Sequence, residues 1–284
     1  MAISIVGARR LKQLLDASDV RYTIIDARAQ DDYQAGHIPG AIRMGWEDWC
    51  ARPPADASSA LFEPGYWGVL DSPGCASFRR RLAMTGITLT TALLVYGDGR
   101  GSAGREGRIA WMMLYLGARE VAILDGGWRG WLEAGGSGET SERVSQAGIP
   151  QIDLQPQRRI DLQDLRRLYA GGTVPCMVDT RSAPEFRGDC YQYIPRPGRL
   201  PASVLFDYED LFQPDGTFVS RQQYLSLAPD EIVSGRRFLA YCEVGVRAAT
   251  FAFVHEAYTG QVVPVFDGSL MEWSLAPELP VLCG

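Results

Sequence analysis

Histidine, lysine and long apolar runs are what this 284-residue chain has least of. His37 and His255 are the only histidines, so most histidine-based acid–base and metal chemistry is excluded before any motif is read. Lys12 is the only lysine, and the formal net charge is −6. Such a chain lacks the basic face that a nucleic-acid partner requires. No stretch approaches the roughly 18 uninterrupted apolar residues of a membrane span, so no membrane partner is expected. Six cysteines (Cys50, Cys75, Cys176, Cys190, Cys242 and Cys283) are scattered with no C-x-x-C pair. They form neither a disulfide framework nor a zinc site. Met1 to Asp16 carries Arg9, Arg10 and Lys12 but no apolar core or small-residue cleavage site; it reads as a helix, and cytoplasmic residence is expected. What remains, 46% hydrophobic and 22% charged, is the balance of a soluble globular protein.

The chain repeats itself. An apolar run ends in Asp-x-Arg twice, at Ile24-Ile25-Asp26-Ala27-Arg28 and at Met177-Val178-Asp179-Thr180-Arg181. An acidic–aromatic pair follows each, Asp32-Tyr33 and Glu185-Phe186. Gly36-His37-Ile38-Pro39-Gly40-Ala41 is then matched by Gly198-Arg199-Leu200-Pro201-Ala202-Ser203. Leu93-Leu94-Val95-Tyr96 parallels Phe238-Leu239-Ala240-Tyr241, each leading through a loop into an apolar helical stretch that ends at Gly117 or Gly260. Asp125-Gly126-Gly127 with Trp131 parallels Asp267-Gly268-Ser269 with Trp273. Landmarks recurring in one order predict two α/β domains, each a parallel sheet flanked by helices on both faces. The expected division is 1–135, a linker at 136–159 rich in Gly, Ser, Gln and Pro, and 160–284. Arg28, Arg181, Asp26 and Asp179 are read as structural ion pairs. Trp46, Trp49 and Trp67 fit either a pocket or a cover over the core or the domain interface.

The halves differ where chemistry is expected, in the loop that leaves the carboxyl end of a strand and feeds a helix. In the second half that loop is Cys242-Glu243-Val244-Gly245-Val246-Arg247, with a helix from about Ala248 to Tyr258. The first half has Gly97 to Gly104 there and no cysteine. Converging backbone N–H groups and the positive end of the following helix both favour a thiolate. Arg247 adds positive charge, and Gly245 gives the turn backbone freedom. A cysteine at a strand end is ordinarily a buried structural residue, and that reading is kept for the others, with Cys190 held open. The placement of Cys242 in this loop reverses it.

These motifs together resemble the rhodanese family, in tandem and over nearly the whole chain. The resemblance implies a two-domain sulfurtransferase in which only the second domain carries the cysteine. Cys242 is then the catalytic nucleophile, and Glu243, Val244, Gly245, Val246 and Arg247 form the loop that holds the persulfide. It implies a ping-pong reaction: the thiolate takes the outer sulfur of thiosulfate or 3-mercaptopyruvate and passes it to cyanide or a thiol. No cofactor or metal is required. The chain departs from the family in having Gly198-Arg199-Leu200-Pro201 for the usual Gly-His-Ile-Pro, an acidic Glu243 beside the cysteine, and Glu185 where animal members carry arginine. These departures leave the preferred donor open.

Three other readings compete with this one. A cysteine–histidine hydrolase is disfavoured, because His255 lies eight residues beyond Arg247, about 12 Å along a helix, while His37 fits a role of capping local backbone. A cysteine-dependent phosphatase of the rhodanese-related type has one more residue between Cys and Arg than the four here, and a shorter ring crowds phosphate. A non-catalytic sulfur-relay or binding protein suits the first domain alone. The Gly-rich segment 97–107 lacks the Gly-Lys-Ser/Thr of a P-loop.

Overall fold

The computed structural model describes residues 2–17, 22–54, 67–71, 76–141, 150–172, 174–190 and 194–284. It contains two five-stranded parallel sheets. The first joins β1 (Ala2–Gly7), β2 (Tyr22–Asp26), β3 (Ile42–Arg43), β4 (Ala92–Tyr96) and β5 (Glu120–Asp125) in the order β1-β5-β4-β2-β3. The second joins β6 (Arg159–Ile160), β7 (Cys176–Asp179), β8 (Ser203–Leu205), β9 (Phe238–Tyr241) and β10 (Val265–Phe266) in the order β6-β10-β9-β7-β8. The two orders are the same, and so is the register at the repeat landmarks: Asp26 pairs with Tyr96, and Asp179 with Tyr241. This is the tandem α/β arrangement that the sequence predicts.

Parallel strands need crossover helices, which cover both faces and leave the central strands apolar throughout. Accordingly Leu93, Leu94, Val95 and Tyr96 of β4 are all fully buried, as are Ala240 and Tyr241 of β9. The helices after these strands, Arg105–Tyr115 and Val246–Thr259, are buried nearly all round, as expected of core helices. No helix among the described residues is long and apolar enough to cross a membrane.

The N-terminal stretch departs from expectation. Ala2–Gly7 is a strand and only Ala8–Asp16 is helical. Pairing along its whole length with β5, from Ala2–Glu120 to Gly7–Asp125, overrides a weak local preference.

The chain forms two compact units: Met1–Trp49 with Asp71–Gln155 and Phe212–Phe218, and Cys50–Leu70 with Pro156–Leu211 and Val219–Gly284. Each unit thus includes a short excursion of the other half's sequence. In the first, the Phe218 N–H donates to Asp125 Oδ1 at 2.8 Å. In the second, the Leu70 N–H donates to Asp267 Oδ2 at 2.7 Å. The same Asp-Gly landmark receives an excursion both times.

The Asp-x-Arg motifs are structural. Arg28 Nη2 lies 2.6 Å from Asp26 Oδ2 and donates to Gly36 O at 2.7 Å; Arg181 repeats this with Asp179 and Gly198 at 2.6 and 2.7 Å. Each arginine thereby ties a strand end to the turn that follows it. His37 is fully buried, its ring bonding the carbonyls of Tyr33 and Ser141 at 2.9 and 3.2 Å. Trp46, Trp49 and Trp67 are buried.

Candidate active site

Cys242 follows β9 directly and is 1% exposed. The chain then turns through Glu243 and Val244 to Gly245, whose φ of 78° is left-handed and favours glycine, and the helix begins at Val246. The turn brings the Gly245 N–H to Cys242 Sγ at 3.1 Å. Thus the sulfur receives a backbone donor at the N-terminal end of a 14-residue helix, where the dipole also favours negative charge.

The turn after β10 grips this loop from behind. Cys242 N–H donates to Ser269 Oγ at 3.1 Å, and Ser269 Oγ–H donates to Phe266 O at 2.8 Å. Leu270 N–H donates to Cys242 O at 3.2 Å and Met271 N–H to Glu243 O at 3.0 Å. Ser269 holds this position with φ 52°, where the first repeat has Gly127 at φ 55°. A non-glycine residue in that region is strained. Sequence reasoning missed Ser269; the difference between Asp-Gly-Gly and Asp-Gly-Ser was its signal.

Arg247, four residues past Glu243, is turned to a partner distant in sequence. Its Nη1 and Nη2 donate to Glu185 Oε2 and Oε1 at 2.9 and 2.7 Å. Glu185 is fixed in turn by the Ser182 N–H at 2.9 Å and hydroxyl at 2.8 Å, a capping box at the helix Ala183–Arg187. Burial opposes charge on Glu185, yet the hydrogen bond and charge of Arg247 outweigh it and hold its carboxyl down at about 2. Burial likewise opposes charge on Arg247, but Glu185 and the charges of Cys242 and Glu243 keep it firmly protonated. Glu243 is the less well served carboxylate. Its Oε2 stands 3.7 Å from Arg247 Nη2, its Oε1 is buried with no hydrogen-bond partner among the described residues, and burial, with Glu185 adding to it, raises its pKa.

The remaining candidates fall elsewhere. His255 is fully buried, with Nδ1 2.6 Å from the Tyr224 hydroxyl, and burial lowers its pKa to about 4. It is a neutral core residue and forms no dyad. Cys50 and Cys176 are part-buried, whereas Cys190 and Cys283 are exposed rather than sealed in the core; Cys75 lies outside the described residues. A cavity of about 660 Å³, lined by Pro175, Arg237, Phe238 and Gln261, lies at the opposite end of β9 from Cys242.

Known proteins share this architecture. The rhodanese-like domain family matches residues 7–134, the first repeat. SseB of Mycobacterium tuberculosis, which carries a thiosulfate sulfurtransferase name, is 31% identical over 269 residues, covering 93% of this chain and 89% of SseB. The thiosulfate sulfurtransferase YnjE of Escherichia coli is 30% identical over 272 residues, 89% of this chain and 57% of its own. The crystal structure of YnjE superposes with a TM-score of 0.79 at 26% identity, covering 99% of this chain and 68% of that one. An anaerobic ergothioneine biosynthesis enzyme of Chlorobium limicola shares the fold, with a TM-score of 0.80 at 23% identity, over 99% of this chain and 70% of that one.

Proposed function

Because the chain belongs to the rhodanese family, as a sulfurtransferase, we propose that Cys242 is its sulfur-carrying nucleophile and that the loop Glu243–Arg247 holds the sulfur in transit. The observation that carries this reading is the Gly245 N–H donating to Cys242 Sγ at 3.1 Å, at the mouth of a core helix. A donor in that place stabilises a thiolate before reaction and a terminal persulfide anion after it.

The Cys242 thiolate attacks the outer sulfur of thiosulfate. A new S–S bond forms, the donor's S–S bond breaks, and sulfite leaves with the electron pair. Cyanide or a thiolate then attacks the outer persulfide sulfur, and the Cys242–S bond breaks to return the thiolate. Both leaving groups are stable anions, so no general acid is demanded. That suits a site in which the histidine of the following helix, His255, is engaged by Tyr224.

3-Mercaptopyruvate is the second donor to weigh. Arg247 is already bonded twice by Glu185, and Glu243 adds another carboxylate. A monoanion meets half the repulsion that a dianion does. The phosphatase reading is disfavoured by the loop itself, which has four residues between Cys242 and Arg247 where that type has five.

The test is substitution. Cys242→Ala should abolish thiosulfate:cyanide turnover with the fold intact by circular dichroism, while alanine at each of the other cysteines should leave most activity. Substantial turnover in the Cys242→Ala protein overturns the assignment.

A further inference from the structure

Gly68 belongs to the first half of the sequence, yet it packs within the second unit. It is buried, and a β-carbon built on it would overlap the Val244 carbonyl oxygen and stand 2.6 Å from the Asp267 carbonyl oxygen. Both obstacles are backbone, so neither can swing aside as a flexible side chain would. Gly68 shows no left-handed φ; the requirement for glycine there is close approach alone.

The atom it presses on is informative. Val244 C=O and Gly245 N–H belong to one peptide group, and no peptide bond among the described residues is cis. In a planar trans peptide these two bonds point in opposite directions. With the carbonyl directed at Gly68, the N–H is directed away from it, and it is this N–H that reaches Cys242 Sγ. The excursion is itself anchored. Leu70 N–H donates to Asp267 Oδ2, which also accepts from Arg159 Nε at 2.9 Å, and Ala51 N–H donates to Val69 O at 2.8 Å.

We infer that Gly68 is a positioning residue of the sulfur-transfer site: by admitting the Val244 carbonyl at closest approach, it fixes the Val244–Gly245 peptide so that its N–H faces the sulfur of Cys242. The inference rests on Cys242 as the sulfur carrier. It assigns part of the second unit's reaction machinery to a segment far upstream in sequence. Displacing that peptide weakens the N–H donor to the thiolate and to the persulfide.

The experiment compares wild type with Gly68→Ala, with Gly7→Ala as control, since a β-carbon on Gly7 meets nothing within 4 Å. Persulfide formation is followed in single turnover by intact mass after thiosulfate, and steady-state kcat and KM are measured separately. Gly68→Ala should slow persulfide formation and lower kcat about tenfold, the effect of losing one hydrogen bond to a charged group. KM should change little and the persulfide should decay faster, while Gly7→Ala behaves as wild type. Wild-type single-turnover rate and persulfide lifetime in a folded Gly68→Ala protein would overturn the inference. If Gly68→Ala does not fold, Asp267→Asn, which loosens the Leu70 anchor without adding bulk, decides in the same assay: slowed persulfide formation supports the inference and an unchanged rate overturns it. Cys242→Ala separates the two levels of the argument. If it still forms a persulfide, the assignment of Cys242 fails, whereas loss there with normal Gly68→Ala and Asp267→Asn kinetics removes only the role of Gly68.

Discussion

Arg247 is one guanidinium facing two carboxylates, and Glu185 holds it by both terminal nitrogens while Glu243 stays at 3.7 Å. The positive charge at the end of the loop is therefore spoken for, and in the proposed reaction a dianionic donor would meet the Glu243 carboxylate beside it. At roughly 6–8 Å across a partly screened pocket, that repulsion costs about 1–2 kcal/mol. Each 1.36 kcal/mol is about tenfold in rate. Thiosulfate kcat/KM should therefore rise from wild type to Glu243→Gln to Glu243→Lys, and the spread should shrink as salt is added. Mercaptopyruvate, a monoanion, should show about half the response. Equal thiosulfate kinetics in all three proteins would mean that the carboxylate does not act on the donor. The acidity of the loop was legible in the sequence, because it needed only the residue after Cys242. The partner of Arg247 was not, since Glu185 lies 62 residues upstream and no local spacing rule joins them.

At the scale of elements, the loop is shaped by two neighbours: the helix Val246–Thr259, entered through left-handed Gly245, and the turn after β10. Position 269 shows how the repeats diverged. Gly127 occupies the left-handed turn of the first repeat without strain, whereas Ser269 adopts the same φ and in return binds Cys242 N–H and Phe266 O. Ser269→Ala keeps the strained backbone and loses both hydrogen bonds, so it should destabilise by about 1–3 kcal/mol. Ser269→Gly loses the same bonds but relieves the left-handed strain, and should be more stable than the alanine variant by about 1 kcal/mol. Urea denaturation of the three proteins checks the order; an alanine variant as stable as the glycine variant would show that no strain is held there. The strand-to-helix turn that carries Cys242 was readable from its pattern. The strand Ala2–Gly7 was misread as helix, because its pairing with β5 is a long-range fact that six residues do not announce.

For the molecule as a whole, repetition made the architecture legible. Five matched landmarks implied two like sheets, and the same strand order recurs with the same Asp–Tyr register. Repetition also singled out the candidate site, since only one of two equivalent loops carries a cysteine. It could not expose the exchanged segments, Cys50–Leu70 and Phe212–Phe218. Among the hydrogen bonds that attach them are Leu70 N–H to Asp267 and Phe218 N–H to Asp125, made across 197 and 93 residues. The central claim is that sulfur travels on Cys242 alone, and intact mass measures it most directly. Wild-type protein treated with thiosulfate should gain the mass of one sulfur atom and lose it again when cyanide is added, and the Cys242→Ala protein should gain none. A cyanide-labile sulfur on the Cys242→Ala protein, or none on folded wild type with either thiosulfate or mercaptopyruvate, would contradict the account.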